Sequence, residues 1–303
     1  EFNMNAHKSV RLCLMVLFAA VFCYSAFRLI SAWRLYSQNE AIYDDAADQF
    51  LIYHTDTQPQ SDGTTAPTEP DPVSMNATSA DTVETTPASE DGTLPATEPA
   101  TVPTTPKPVE TAPPPTVPDF TPNWDALHRA NPDIVGWIWQ SGTVINYPVL
   151  KGADNNQYLR TTYNGKSSRL GSIFLDYRSD LSARNPVIYG HNAGNGRMFA
   201  SLVKYKKRSY LEANPYLYLM TPAGTAKYAV FSVYETTTAS DTYTFTFEDD
   251  AAYAAYLSEI QMRSAYRTGV AADSSDEILT LSTCTNTGKT IRYVVHAKRI
   301  PLD

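Results

Sequence analysis

Residues 279–300 read LTLSTCTNTGKTIRYVVHAKRI, and their pattern sets the class of the folded part. Two runs rich in β-branched and aromatic residues, EILTLSTC (277–284) and TIRYVVHAK (290–298), enclose a short polar stretch holding Asn286 and Gly288, which predicts a hairpin. Cys284 closes the first run and Arg292 stands near the start of the second. Hairpin closure would set the guanidinium opposite the thiol, where its permanent charge favours both a thiolate and a developing oxyanion. A solvated arginine beside a turn satisfies the same spacing, so this reading stays open here.

Upstream, further strand-like runs occur at TVINYPVL (143–150), SIFLD (172–176), PVIYG (186–190), YLYLM (216–220) and KYAVFSVYE (227–235). One helical stretch interrupts them, Phe247 to Arg267, with Tyr253, Tyr256, Leu257, Ile260 and Met262 at near-helical spacing, acids early and arginines late. Another helix is expected from Thr121-Pro-Asn-Trp-Asp toward Arg129, ended by Asn131-Pro132. The class implied is mostly β, an antiparallel barrel or sandwich with peripheral helices.

Ahead of this domain the composition changes. No aromatic residue occurs between His54 and Asp119, and 14 of the 21 prolines fall between Pro59 and Pro118. Such a segment lacks the apolar surface to offset its ordering entropy, so a disordered linker is expected, either a spacer or a passive tether. Thr55–Asp119 also holds eleven acidic residues against one lysine, a charge of −10, so the chain's net −8 leaves the remainder near +2. No basic stripe stands out, and a nucleic-acid partner is not expected.

Leu12 to Phe27 is apolar apart from Tyr24 and Ser25, and Leu29, Ile30 and Trp33 extend it past Arg28. This predicts one membrane crossing, N-terminus inside, since Lys8 and Arg11 precede it and a long acidic segment follows. A cleaved signal peptide is the competing reading, but Tyr24-Ser-Ala26 and Ile30-Ser-Ala32 both put a bulky residue where a small one is needed. Cys13 and Cys23 then sit in lipid as small apolar residues, and Glu1-Phe2 ahead of Met4 reads as a cloning remnant. The expected organisation is a cytoplasmic N-terminus (1–11), a transmembrane anchor (12–33), a juxtamembrane segment (34–54) of helical spacing, a Pro/Thr-rich acidic linker (55–119) and a folded domain (120–303) outside the cell.

An exported domain with one unpaired cysteine offers a candidate reactive thiol, although a lone cysteine at a strand end is as readily buried packing. A thiol nucleophile needs a group to manage its proton and a cation for the oxyanion. Among the histidines, His128 falls on the opening helix as a surface residue, and His296 lies within a strand, where packing is its expected role. His191 ends the run NPVIYGH, where a strand gives way through Gly190 to a polar loop, a common seat for catalytic groups.

The pattern LTLSTC, a later arginine on the next strand and an upstream strand ending in YGHN together resemble the sortases, Gram-positive cysteine transpeptidases. The likeness covers roughly Asn123 to Arg299 and is nearest to class B, through opening helices around Trp124 to Trp139, the NPDIVGWI phrase, the NQYL segment at Asn156 to Leu159 and a long helix before the cysteine strand. It implies an eight-stranded β-barrel. It also implies Cys284 as nucleophile, His191 as general acid and base and Arg292 as substrate and oxyanion clamp, with Ser282, Thr283 and Asn192 in contact with substrate.

The chemistry implied is cleavage of a C-terminal sorting signal on a secreted protein through a thioester, then transfer to an amine of a peptidoglycan precursor or cross-bridge. It calls for no cofactor and no metal. A distant carboxylate such as Asp176 is open as a third partner for His191. A secreted cysteine protease, a pilus-polymerising sortase and a non-enzymatic surface module are the rival readings.

Overall fold

The computed structural model describes residues 2–54, 117–285 and 288–302; of the linker expected over 55–119, residues 55–116 lie outside them, as does Asn286. In chain order the elements are α1 (Phe2–Phe50), β1 (Leu51–Tyr53), β2 (Phe120–Pro122), α2 (Trp124–Ala130), β3 (Ile134–Trp139), β4 (Asn146–Lys151), β5 (Ile173–Leu175), β6 (Val187–Tyr189), α3 (Arg208–Ala213), β7 (Tyr216–Thr221), β8 (Gly224–Thr237), α4 (Asp250–Met262), β9 (Ile278–Cys284) and β10 (Ile291–Ile300). Eight strands close into a barrel in the order β10-β8-β7-β3-β4-β5-β6-β9. Neighbours are antiparallel except β4 with β5 and β6 with β9. Closure leaves no unpaired edge, which is why strands of three residues such as β5 and β6 persist.

The opening helices do not run to Trp139. α2 stops at Ala130, with Asn123 capping its start and Asn131 extended beyond its end, and Ile134–Trp139 is a barrel strand. Its residues Ile, Val and Trp favour a pleated surface, and burial from Gly136 through Trp139 removes the polar alternation that would have marked a strand. β4 likewise begins at Asn146, three residues later than the run 143–150, because Thr143 is spent on a turn with its hydroxyl donating to the Gln140 carbonyl.

The helix before β9 is also shorter than Phe247–Arg267. Asp249 caps it by accepting from the Ala252 amide at 2.7 Å, and beyond Met262 the Arg263 guanidinium turns back to Asp241 and Glu259. Tyr253, Leu257 and Ile260, at i, i+4 and i+7, form one buried stripe on Phe231, Tyr234, Ile278 and Val294 of the barrel wall. Full burial of such side chains contributes roughly 1.5 to 3 kcal/mol each.

α1 carries the 18-residue apolar window Leu14–Ser31, none of it buried, which is long enough to cross a membrane. Its last turns behave differently. Tyr43, Ala46 and Phe50 are buried against the domain, with Tyr43 edge-on to Tyr147 at 5.4 Å and Phe50 edge-on to Tyr163 at 5.8 Å. β1 then pairs with β2, and the His54 amide donates to the Asp119 carbonyl at 2.7 Å, so the chain leaves and re-enters this unit at one point.

His296 is a core residue, as its strand position predicts. It is fully buried, with Nδ1 2.8 Å from the Thr280 hydroxyl and Nε2 3.0 Å from that of Tyr234. Thr280 gives its own proton to Asn185 at 2.6 Å, so the imidazole donates from Nδ1 and accepts at Nε2, and the ring is neutral. Burial, with the charge of Arg263, lowers its pKa from 6.5 to about 3. Between those values the unfolded chain binds a proton that the folded one refuses, so stability present above pH 6.5 is lost on acidification toward pH 3, on the order of 5 kcal/mol in all. Urea unfolding from pH 7 to 4 should show this slope, and His296→Gln should flatten it while lowering stability at pH 7.

Candidate active site

Cys284 ends β9 as a half-buried free thiol. β9 and β10 pair in the register Cys284↔Arg292, with Thr283↔Tyr293 and Ser282↔Val294 behind. Directly opposed residues of an antiparallel pair share a face with Cβ atoms about 5 Å apart, so the hairpin does bring Arg292 and Cys284 to one side. Arg292 Nη1 donates to the carbonyls of Lys289 at 2.9 Å and Ile291 at 3.1 Å, so the turn's own backbone fixes the side chain.

His191 arrives from another part of the barrel. β6 runs parallel beside β9 with Tyr189 at Ser282, after which the Gly190 amide donates to the Ser282 carbonyl at 3.1 Å and the Thr283 hydroxyl donates to the Gly190 carbonyl at 2.8 Å. The chain therefore delivers residue 191 next to the last turn of β9. Gly190 is required there, because a Cβ would meet the Phe199 ring at 2.7 Å and Ile173 closer still. The imidazole Nε2 lies 2.8 Å from the Leu159 carbonyl, which can only accept, so Nε2 carries the proton and Nδ1 is the nitrogen available for exchange.

These three residues line one cleft of about 340 Å³ together with Ser282 and Thr283. Ser282 shares a hydrogen bond of 3.0 Å with Tyr243, whose phenol is raised by burial. Asn192 is not among the lining residues; it forms a backbone bridge with Met198. Asp176 does not serve His191. Its fully buried carboxylate accepts from Arg178 Nε at 3.0 Å and Nη2 at 2.8 Å, from Asn155 at 3.1 Å and from Tyr189 at 3.0 Å. Burial would raise its pKa, but these donors hold it below the ordinary carboxylate range.

Sequence reasoning missed these supports. Arg178, Tyr189 and Asn155 all line the cleft, and Phe174, Tyr189 and Tyr243 stand in file along it with ring centroids 5.5 and 5.9 Å apart. The only linear signal was the run FLDYR, two strand residues followed by an acid and an arginine two apart. Among the described residues no cluster of His, Cys, Asp and Glu could hold a metal.

A family profile described as the sortase domain matches residues 141–300. The chain belongs to the sortase family. It is 39% identical over 186 residues to Sortase B of Staphylococcus aureus, covering 60% of this chain and 76% of the relative. Sortase B of Listeria monocytogenes is 38% identical over 160 residues, covering 52% and 65%. The solved Staphylococcus aureus sortase B–substrate complex superposes with a TM-score of 0.57 at 38% identity, covering 60% of this chain and 86% of that one. This sortase is therefore a cysteine transpeptidase of class B character, and its closed eight-stranded barrel is the fold that the sequence resemblance implied.

Proposed function

We propose that this sortase acylates Cys284 with the sorting signal of a secreted protein and passes the acyl group to an amine of a peptidoglycan precursor or cross-bridge. The observation that carries the reading is the Cys284↔Arg292 register in a cleft that His191 also lines. The Cys284 thiolate attacks the scissile carbonyl, and Arg292 stabilises the negative charge on its oxygen. As the tetrahedral intermediate collapses, the C–N bond breaks and protonated His191 gives its proton to the leaving amine. The acceptor amine then attacks the thioester, His191 takes up the amine proton, and the thiolate is released. Ser282 and Thr283 shape the floor beside the sulfur.

The apolar stretch of α1 serves as a single-pass anchor, residues 1–11 inside and the catalytic domain 120–303 on the extracellular side. Wall anchoring is favoured over pilus assembly because the class B relatives carry the likeness. Intact-mass analysis of the full chain with candidate sorting peptides tests the proposal. A mass increase equal to the acyl fragment, mapped to Cys284 and discharged faster by triglycine, is the expected result. No adduct on a folded enzyme across a broad peptide library would overturn it, and discharge indifferent to added amine would indicate a protease.

A further inference from the structure

The proposed general acid and base is held from both of its ends by two consecutive residues of the helix that carries the apolar span. The loop after β6 runs from His191 to Phe199 and is pinched shut by the Phe199 amide donating to the His191 carbonyl at 3.0 Å and by the Asn192↔Met198 bridge. Inside the pinch, Met198 takes a positive φ of 58°, which a side chain rarely adopts unless surrounding contacts hold it there. One contact is the Met198 amide donating to the Tyr147 hydroxyl at 3.0 Å. The other is Arg197, whose Nη1 and Nη2 grip the two oxygens of Asp44 at 2.6 and 2.8 Å, 153 residues away in sequence.

The imidazole itself leans on the Leu159 carbonyl, and that carbonyl has a support of its own. Gly171, at φ +56°, lies so close beneath the Tyr158 and Leu159 carbonyls that a Cβ would meet both at 2.5 Å. The Ser172 amide donates to the Tyr158 carbonyl at 2.9 Å. Tyr43 clamps this pair, its hydroxyl donating to the Gly171 carbonyl and lying 3.2 Å from the Ser172 hydroxyl. Tyr43 also packs edge-on against Tyr147, the residue that holds Met198.

We infer that Asp44 and Tyr43 are positioning residues for His191: Asp44 acts through Arg197 on the loop that carries the ring, and Tyr43 through Gly171 on the carbonyl that orients it. This rests on the reading of His191 as acid and base. The segment emerging from the membrane is then a working part of the active site as well as its tether. Asp44 and Arg197 are partly exposed, their side chains 57% and 28% accessible, so the pair adds little to global stability and its loss shows in reactivity.

The test uses the full chain in detergent micelles. Alkylation of Cys284 by iodoacetamide is followed by peptide-resolved mass spectrometry from pH 5 to 9 in wild type, Asp44→Ala, Arg197→Ala, the double variant and the swap Asp44→Arg with Arg197→Asp. Misplacing the ring should slow alkylation near pH 7 by about tenfold in either single variant and shift the pH profile toward that of an isolated thiol. The double variant should be no slower than the singles, and the swap should recover much of the rate. Should Asp44→Ala fail to fold, Tyr43→Phe, which keeps the ring, reports on the second route by the same profile.

Wild-type profiles in the folded single variants, or losses that add in the double, would overturn the inference. His191→Ala separates the two failures. If it too leaves the profile unchanged, the role given to His191 falls; if it flattens the profile while the Asp44 variants do not, only the present inference falls.

Discussion

Cys284→Ala is expected to abolish acyl transfer, a loss of about 10⁴-fold or more, because no other group in the cleft can form the covalent intermediate. His191 lines that cleft, but the carbonyl of Leu159 holds its Nε2. Ser282 and Thr283 are buried, each committed to a hydrogen bond, Ser282 with Tyr243 and Thr283 with the Gly190 carbonyl. Stability should change little, since Cys284 ends its strand half-exposed and leaves no sealed cavity behind when trimmed. Turnover measured by chromatography of a cleaved peptide, alongside a thermal melt, checks both halves. Residual turnover within tenfold of wild type would mean that the sulfur is a bystander.

Arg292→Gln is expected to lower the acylation rate by about 10² to 10³-fold, the usual cost of removing one preorganised oxyanion donor. The effect should fall on the chemical step, because Arg292 pairs with Cys284 in the strand register and its guanidinium is fixed by the Lys289 and Ile291 carbonyls before any peptide arrives. Arg292→Lys should recover little. An ammonium is a point charge on a flexible stem and cannot both hold the turn carbonyls and face the oxyanion. Single-turnover acylation with wild-type peptide affinity retained is the signature to look for; a rise in KM alone would make Arg292 a binding residue.

What could be read from the chain beforehand divides along physical lines. The β9–β10 hairpin was legible because its pattern is local: alternating and β-branched residues around a turn, with cysteine and arginine spaced so that closure sets them opposite each other. His191 was legible as a polar break after an apolar strand. β3 was not, because a strand buried on both sides loses the period of two that distinguishes it, and its tryptophans read equally well as helix. The Asp176 cluster was equally hidden. Its partners Asn155, Arg178 and Tyr189 come from three segments that meet only after β5 and β6 pair. Nor does helical spacing in residues 35–53 reveal that Tyr43, Ala46 and Phe50 belong to the enzyme's own core.

The 2.7 Å bond from the His54 amide to the Asp119 carbonyl brings the two ends of the proline-rich stretch together. The 64 residues between them, 55–118, begin and end at a single doorway, so the join between α1 and the catalytic domain rests on the contacts of Tyr43, Ala46 and Phe50. From Ser31, where the apolar window ends, to Tyr43, buried on the domain, the helix makes twelve rises, about 18 Å at 1.5 Å per residue. With the proposed single-pass anchor in place, that spacing would hold the catalytic domain close to the headgroup layer.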